Sequence, residues 1–193
     1  MNMVITKNKM IIITAPSGAG KTSITRYLLQ RFPELAFSVS ATTRKPRGNE
    51  KDGVDYHFIT DEAFKKKILH NEFVEWEMVY EGKYYGTLES ELIRIWHNNR
   101  IPVMDIDVKG AIHVQQNYQA SSLSLFIETP SVDELKKRLQ SRGTESSESL
   151  AARINKAAFE LSFKEQFNKH IVNDDLQRAC HEAKLIVEAF ING

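Results

Sequence analysis

The chain has 193 residues, 41% of them hydrophobic and 26% charged, which suits one packed core, with small insertions at most, beneath an ordinary polar surface. Lys and Arg number 26 against 25 Asp and Glu, so the net charge of +1 excludes a bulk basic field for nucleic acid, although local arginine clusters can still hold phosphates. Cys180 is the only cysteine, which excludes an intramolecular disulfide and a cysteine-built zinc cage. The opening MNMVITKNKM lacks the apolar stretch of a signal peptide, and no apolar run is long enough to span a bilayer, so the expected setting is the cytoplasm.

In chain order, residues 10–14 read as a β-branched strand entering a Gly-rich turn over 15–20. Helical spacing follows over 21–31, and Pro33 stops it. Strands are predicted over 37–40 and 56–59, either side of a polar Pro/Gly loop at 42–53. Asp61 reads as the cap of a helix reaching residue 70, with Lys65, Lys66 and Lys67 on a solvated face. Residues 73–80 alternate as a strand, and Glu81-Gly82 turns the chain into 83–86.

From there helices and strands alternate. Helices are predicted over 89–98 and 109–118, and strands over 101–106 and 123–127. Ser131 caps a strongly amphipathic helix to Arg142, and a polar stretch covers 143–149. A helix over 150–163, a strand over 170–173 and a last helix over 179–191, where Cys180 reads as a small buried residue, complete the chain. The rhythm predicts an α/β fold whose parallel sheet is covered on both faces. The strand-rich stretch of roughly 38–87 breaks the rhythm and reads as an inserted α+β subdomain.

The strongest chemical signal is A15-P-S-G-A-G-K-T22, set between a strand and a helix. Glycines let backbone N–H groups wrap a β-phosphate; a lysine reaches the β- and γ-oxygens; a hydroxyl serves Mg²⁺; the helix N-terminus adds a favourable field. Gly18, Gly20, Lys21 and Thr22 meet these demands, while Ala15 stands where a first glycine is usual and fits if its φ is negative. Asp105 ends a buried strand, where an acid beside such a loop acts on Mg²⁺ or its waters. Asp107 shares its side if the strand persists. In S40-A-T-T-R44-K-P-R47-G two arginines about a stiff proline make a cradle for a phosphate dianion, against the plain reading of a solvated basic turn. Arg138, Arg142 and Arg153 flank a polar segment that could bring charge to a transferring phosphoryl group, against the alternative of surface ion pairs with Glu134, Glu145 or Glu148.

These pieces, with D-G-V-D-Y-H-F (52–58), E-F-V-E-W (72–76), Y-Y-G-T (84–87), D-I-D-V-K-G (105–110), R-L-Q-S-R-G-T-E (138–145) and I-V-N-D-D (171–175), resemble the guanylate kinase family along nearly the whole chain. The resemblance implies a three-layer P-loop core over 1–37 and 88–193, a GMP-binding subdomain over 38–87, and a small helical lid within about 129–150. It implies ATP on Ala15, Pro16, Ser17, Gly18, Ala19, Gly20, Lys21 and Thr22, with Asn173 near the adenine and Mg²⁺ at Thr22 and Asp105. Arg44, Arg47, Tyr56 and Tyr85, with Ser40 close by, would hold the GMP phosphate, and Glu75, Thr87 and Asp107 would read the guanine. Ala15, and Lys109 where Gln or Met is common, depart from the pattern without touching its chemistry.

The implied reaction is in-line transfer from ATP to GMP, with dGMP a further acceptor, its charge neutralised by Lys21, Mg²⁺, Arg44, Arg138, Arg142 and Arg153. The implied partners are these small molecules, with no nucleic acid and no membrane; oligomeric state is left open. Two rivals are a non-catalytic binding module of the same fold, against which Lys21, Thr22 and Asp105 stand, and a kinase for another monophosphate, against which Glu75 stands.

Overall fold

The computed structural model describes residues 8–141 and 147–193. Its elements begin β1 (Met10–Thr14), α1 (Lys21–Arg31), β2 (Leu35–Phe37), β3 (Ala41–Thr42), β4 (His57–Phe58), α2 (Asp61–Leu69), β5 (Phe73–Tyr80) and β6 (Lys83–Leu88). They continue α3 (Glu89–His97), β7 (Ile101–Asp105), α4 (Val108–Asn117), β8 (Ser122–Glu128), α5 (Val132–Ser141), α6 (Ser147–Leu161), β9 (Lys169–Val172) and α7 (Leu176–Asn192).

Among the described residues a five-stranded parallel sheet runs β2-β7-β1-β8-β9. Its central strand, MIIIT, is buried along its whole length, as a strand covered on both faces must be. Ile11 and Ile13 pack with Ile24 and Leu28 of α1, Leu135 and Leu139 of α5, and Val187 of α7. Met10 and Ile12 turn the other way, onto Leu92 of α3 and Val108, Ala111 and Val114 of α4. Alternation along one strand thus seats a helical layer on each side and makes the three-layer α/β core.

A second, four-stranded sheet runs β4-β3-β6-β5, antiparallel at β3–β6 and β6–β5. Phe64 of α2 is fully buried against it, stacked on Phe73 with ring centroids 4.4 Å apart.

Several boundaries differ from expectation. The strand predicted over 37–40 is divided: β2 ends at Phe37 in one sheet and β3 starts at Ala41 in the other. Between them the Val39 N–H is taken by the Glu91 carboxylate at 3.0 Å, so a side chain replaces a neighbouring strand. Thr60, not Asp61, caps α2: its hydroxyl accepts from the Ala63 N–H at 3.1 Å, while Asp61 pairs with Lys65. Asp175 caps α7 and starts it at Leu176, earlier than predicted. Ser131 accepts from the Glu134 N–H at 3.1 Å as the expected cap of α5. Arg142 and the rest of 142–146 lie outside the described residues. Among the described residues no helix is long and apolar enough to cross a membrane.

Candidate active site

Three pieces of chain meet at the C-terminal ends of β1 and β7. The turn after β1 holds Gly18 at φ 93° and Gly20 at φ 98°, left-handed values that a side chain would strain. Ala15 is not among the left-handed residues and sits 7% exposed in the core, so its methyl replaces the usual glycine at no backbone cost. Gly20 caps α1 with no side-chain bond and no acidic residue follows in the first turn. The Lys21 and Thr22 N–H groups, first in the helix, have no intrahelical acceptor, and with no cap or acidic residue beside them they would offer an anion the positive end of the helix.

Lys21 Nζ lies 2.5 Å from Asp105 Oδ1 and donates to the Ile106 carbonyl at 3.2 Å. Burial opposes its charge, but the field and hydrogen bond of Asp105 outweigh that and hold the ammonium above the ordinary lysine range. Asp107 does not extend the strand as anticipated: β7 stops at Asp105, and Asp107 caps α4 by accepting from the Gly110 N–H at 2.8 Å. Both carboxylates still line one cleft of about 390 Å³.

The second sheet forms the far wall of that cleft. Glu75 on β5 faces inward, 6% exposed, opposite Thr87 on β6, whose hydroxyl donates to it at 2.7 Å. Burial pushes its carboxyl up to about 7, against the Thr87 hydrogen bond, with Asp107 adding like charge. A β-carbon on Gly110 would stand 2.5 Å from Glu75 Oε2, so the bare glycine is what lets the carboxylate rest against α4. Trp76, the next residue along, points to the outer face and is 42% exposed.

Arg44 is 8% exposed and its guanidinium lies over the rings of Tyr56 and Phe58, 4.8 and 5.6 Å from their centroids. It donates to Tyr85 Oη at 3.1 Å and grips Glu50 with both Nη atoms, at 2.5 and 2.8 Å. Burial, and then Asp105, raise the Tyr56 phenol, which keeps its O–H a donor. Ser40, Arg44, Arg47, Tyr56, Glu75, Tyr85, Asp105 and Asp107 line the cleft with Ala15, Pro16, Ser17, Gly18, Gly20, Lys21, Thr22 and Arg153.

The remaining expected residues are placed otherwise. Ala19, within the turn, is fully buried and does not line the cleft. Asn173 does not line the cleft: it is 4% exposed, and its amide donates to the Ala19 carbonyl at 2.7 Å. Thr87 stands behind Glu75 and not at the cleft surface. Arg138 pairs with Glu134 at 3.1 Å, the surface alternative considered for it, and is not among the lining residues. Arg142 lies outside the described residues.

Lys156 and Glu160 also line the cleft, beside Arg153, and sequence reading passed over them. Their spacing of three and seven from Arg153 on α6 marks one helical face, a signal that was present. Glu160 is 7% exposed, and burial raises its carboxyl although Lys156 lies 3.7 Å away.

The guanylate kinase family model matches residues 7–190. A guanylate kinase of Bacteroides fragilis is 45% identical over 183 residues, covering 95% of this chain and 90% of the relative. One from Porphyromonas gingivalis is 45% identical over 184 residues, covering 95% and 98%. The crystal structure of guanylate kinase from Anaplasma phagocytophilum superposes with a TM-score of 0.77 at 28% identity, over 94% of this chain and 85% of that one. A glycine turn ending in Lys21, facing a buried carboxylate and an arginine–tyrosine cluster across one cleft, is what these relationships account for, and the chain belongs to the guanylate kinase family.

Proposed function

We propose that this protein transfers the γ-phosphoryl group of ATP to the phosphate of GMP, giving ADP and GDP. The observation that carries the reading is the pairing, within one cleft, of the Lys21 turn with the buried Glu75 carboxylate. Guanine offers N1–H and a 2-amino group side by side, which a carboxylate matches; adenine offers no such pair and would leave Glu75 unsatisfied. The acceptor is a phosphate oxygen, already nucleophilic at neutral pH, so the chain has to position and neutralise rather than take a proton.

In this reading the core over 1–37 and 88–193 holds ATP through the turn at 15–22, the 38–87 subdomain holds GMP, and the lid within about 129–150 carries Arg138 and Arg142. Lys21 meets the β- and γ-phosphates, moving from Asp105 to do so. Arg44, Arg47, Tyr56, Tyr85 and Ser40 receive the GMP phosphate, and Arg153, joined by Lys156, faces the transferred group. Thr87 orients Glu75, and Asp107 closes the guanine pocket from α4.

Thr22 and Asp105 supply a hydroxyl and a carboxylate at the cleft surface, an all-oxygen set suited to Mg²⁺, which keeps phosphate and water in its other positions. When bound, the ion offsets charge on the β- and γ-oxygens. The binding-module alternative is not favoured, because Lys21, Thr22 and Asp105 are present and brought together.

A coupled assay over GMP, dGMP, AMP, UMP and dTMP tests the reading. GMP should lead, with dGMP following; comparable rates for AMP would overturn the base assignment.

A further inference from the structure

We infer that Glu50 is a positioning residue for the acceptor phosphate, acting through Arg44 from outside the cleft; this rests on the reading that the cleft takes GMP. Arg44 has five N–H donors, and the fold uses four. Nε goes to Tyr85 Oη, Nη1 to the Lys45 carbonyl and to Glu50 Oε2, and Nη2 to Glu50 Oε1. One Nη2 hydrogen is left. Arg44 therefore cannot take a phosphate in a two-point grip while Glu50 holds its fork.

Glu50 is not standing where the phosphate would go. Arg44, Arg47, Tyr56 and Tyr85 all line the cleft and Glu50 does not, so its carboxylate approaches the guanidinium from the side away from substrate. The same Oε2 accepts the Arg47 N–H at 2.8 Å, and the Glu50 N–H returns to the Arg47 carbonyl at 3.0 Å. One side chain thereby sets the plane of Arg44 and closes the turn that presents Arg47. The hydrogen bond from Arg44 holds the Glu50 carboxyl down at about 2, so the pair stays intact across the working pH range.

Donors are thereby handed on toward the cleft. Tyr85 Oη accepts from Arg44 and keeps its own hydrogen for the phosphate. The Arg47 side chain makes no hydrogen bond or ion pair among the described residues and is exposed, leaving its full fork for the dianion. The geometry thus divides the arginines: Arg44 is a fixed brace offering one N–H and its charge, and Arg47 is the bidentate ligand.

The test is Glu50→Gln, which keeps shape but turns one acceptor of the fork into a donor. The KM for GMP should rise about 10- to 100-fold, the range of a lost charged hydrogen bond, with the KM for ATP unchanged. Guanosine, which carries the base without the phosphate, should inhibit the variant and the wild type equally. An unchanged KM for GMP overturns the inference. A lowered KM overturns it too, showing Glu50 as a competitor of the phosphate. Guanosine or ATP weakened in parallel with GMP would show a general structural role and also overturn it. If the wild type fails to phosphorylate GMP, the reading of the cleft fails instead, which keeps the two outcomes separate.

Discussion

Gly20 and Asn173 share one space: a β-carbon at Gly20 would collide with Asn173 Nδ2, the same nitrogen that donates to the Ala19 carbonyl at 2.7 Å. The end of β9 is thus fastened beneath the glycine turn by a buried amide. Asn173→Ala should leave the Ala19 carbonyl without its partner and loosen the turn, raising the KM for ATP about 10-fold, in line with ~1–3 kcal/mol for an unsatisfied buried group. Inorganic tripolyphosphate, tested as an inhibitor against ATP, should weaken to the same degree. A loss confined to ATP would instead assign Asn173 to the adenine.

Lys21→Ala should lower turnover by about 10³-fold or more while leaving the fold in place, because the proposed reading makes the ammonium the central charge at the transferred group. Its partner Asp105 is 19% exposed and can be rehydrated, so the melting temperature should move little. Single-turnover measurement with saturating ATP and GMP checks the chemical step directly. Near-wild-type turnover would remove the donor-site assignment.

Arg47→Ala should weaken GMP by ~1.5–3 kcal/mol and leave ATP binding as it is, since its fork is exposed and unshared among the described residues. Calorimetric titration of each nucleotide separates the two. Equal losses for both would count against the cradle.

Glu75→Gln replaces one acceptor facing guanine with a donor and keeps the side-chain shape. A fall in kcat/KM for GMP of roughly 10- to 10³-fold is expected, with reduced discrimination against AMP and an unchanged KM for ATP. Wild-type kinetics for GMP would mean the buried carboxylate does not read the base.

In the proposed reading the same carboxylate makes GMP binding depend on pH. Its pKa is raised by burial from 4.5 to about 7, so the folded protein binds this proton more tightly than the unfolded chain. Its contribution to stability is therefore full below 4.5 and is lost as pH rises through about 7. GMP affinity runs the opposite way, because only the ionised form accepts both guanine donors: affinity should climb as pH rises to about 7 and level off above it. Calorimetry across that range in two buffers of different ionisation enthalpy should show a proton released on binding below about 7. The release should vanish in Glu75→Gln.

Local rules were enough for much of this protein. A β-branched run, a glycine turn and a helical period lie next to one another in residues 10–31, so β1, the turn after it and α1 were legible from the sequence alone. The alternation of helix and strand after residue 89 likewise determined the parallel core, because each segment carries its own periodicity.

What only the tertiary structure decided depends on partners far apart in the chain. Whether Glu75 is a surface carboxylate or a buried one turns on Thr87 behind it and on Gly110 of α4, which no alternation within β5 records. The strand expected over 37–40 divides because Glu91, some fifty residues on, takes the Val39 N–H. Asn173 bonds the turn and does not line the cleft because β9 ends beneath Ala19. Lys156 and Glu160 matter because α6 turns that face, and not another, toward Lys21. A sequence carries the periodicity of each element, but the burial of a polar group, and with it its charge state and its partners, is set by which elements close over it.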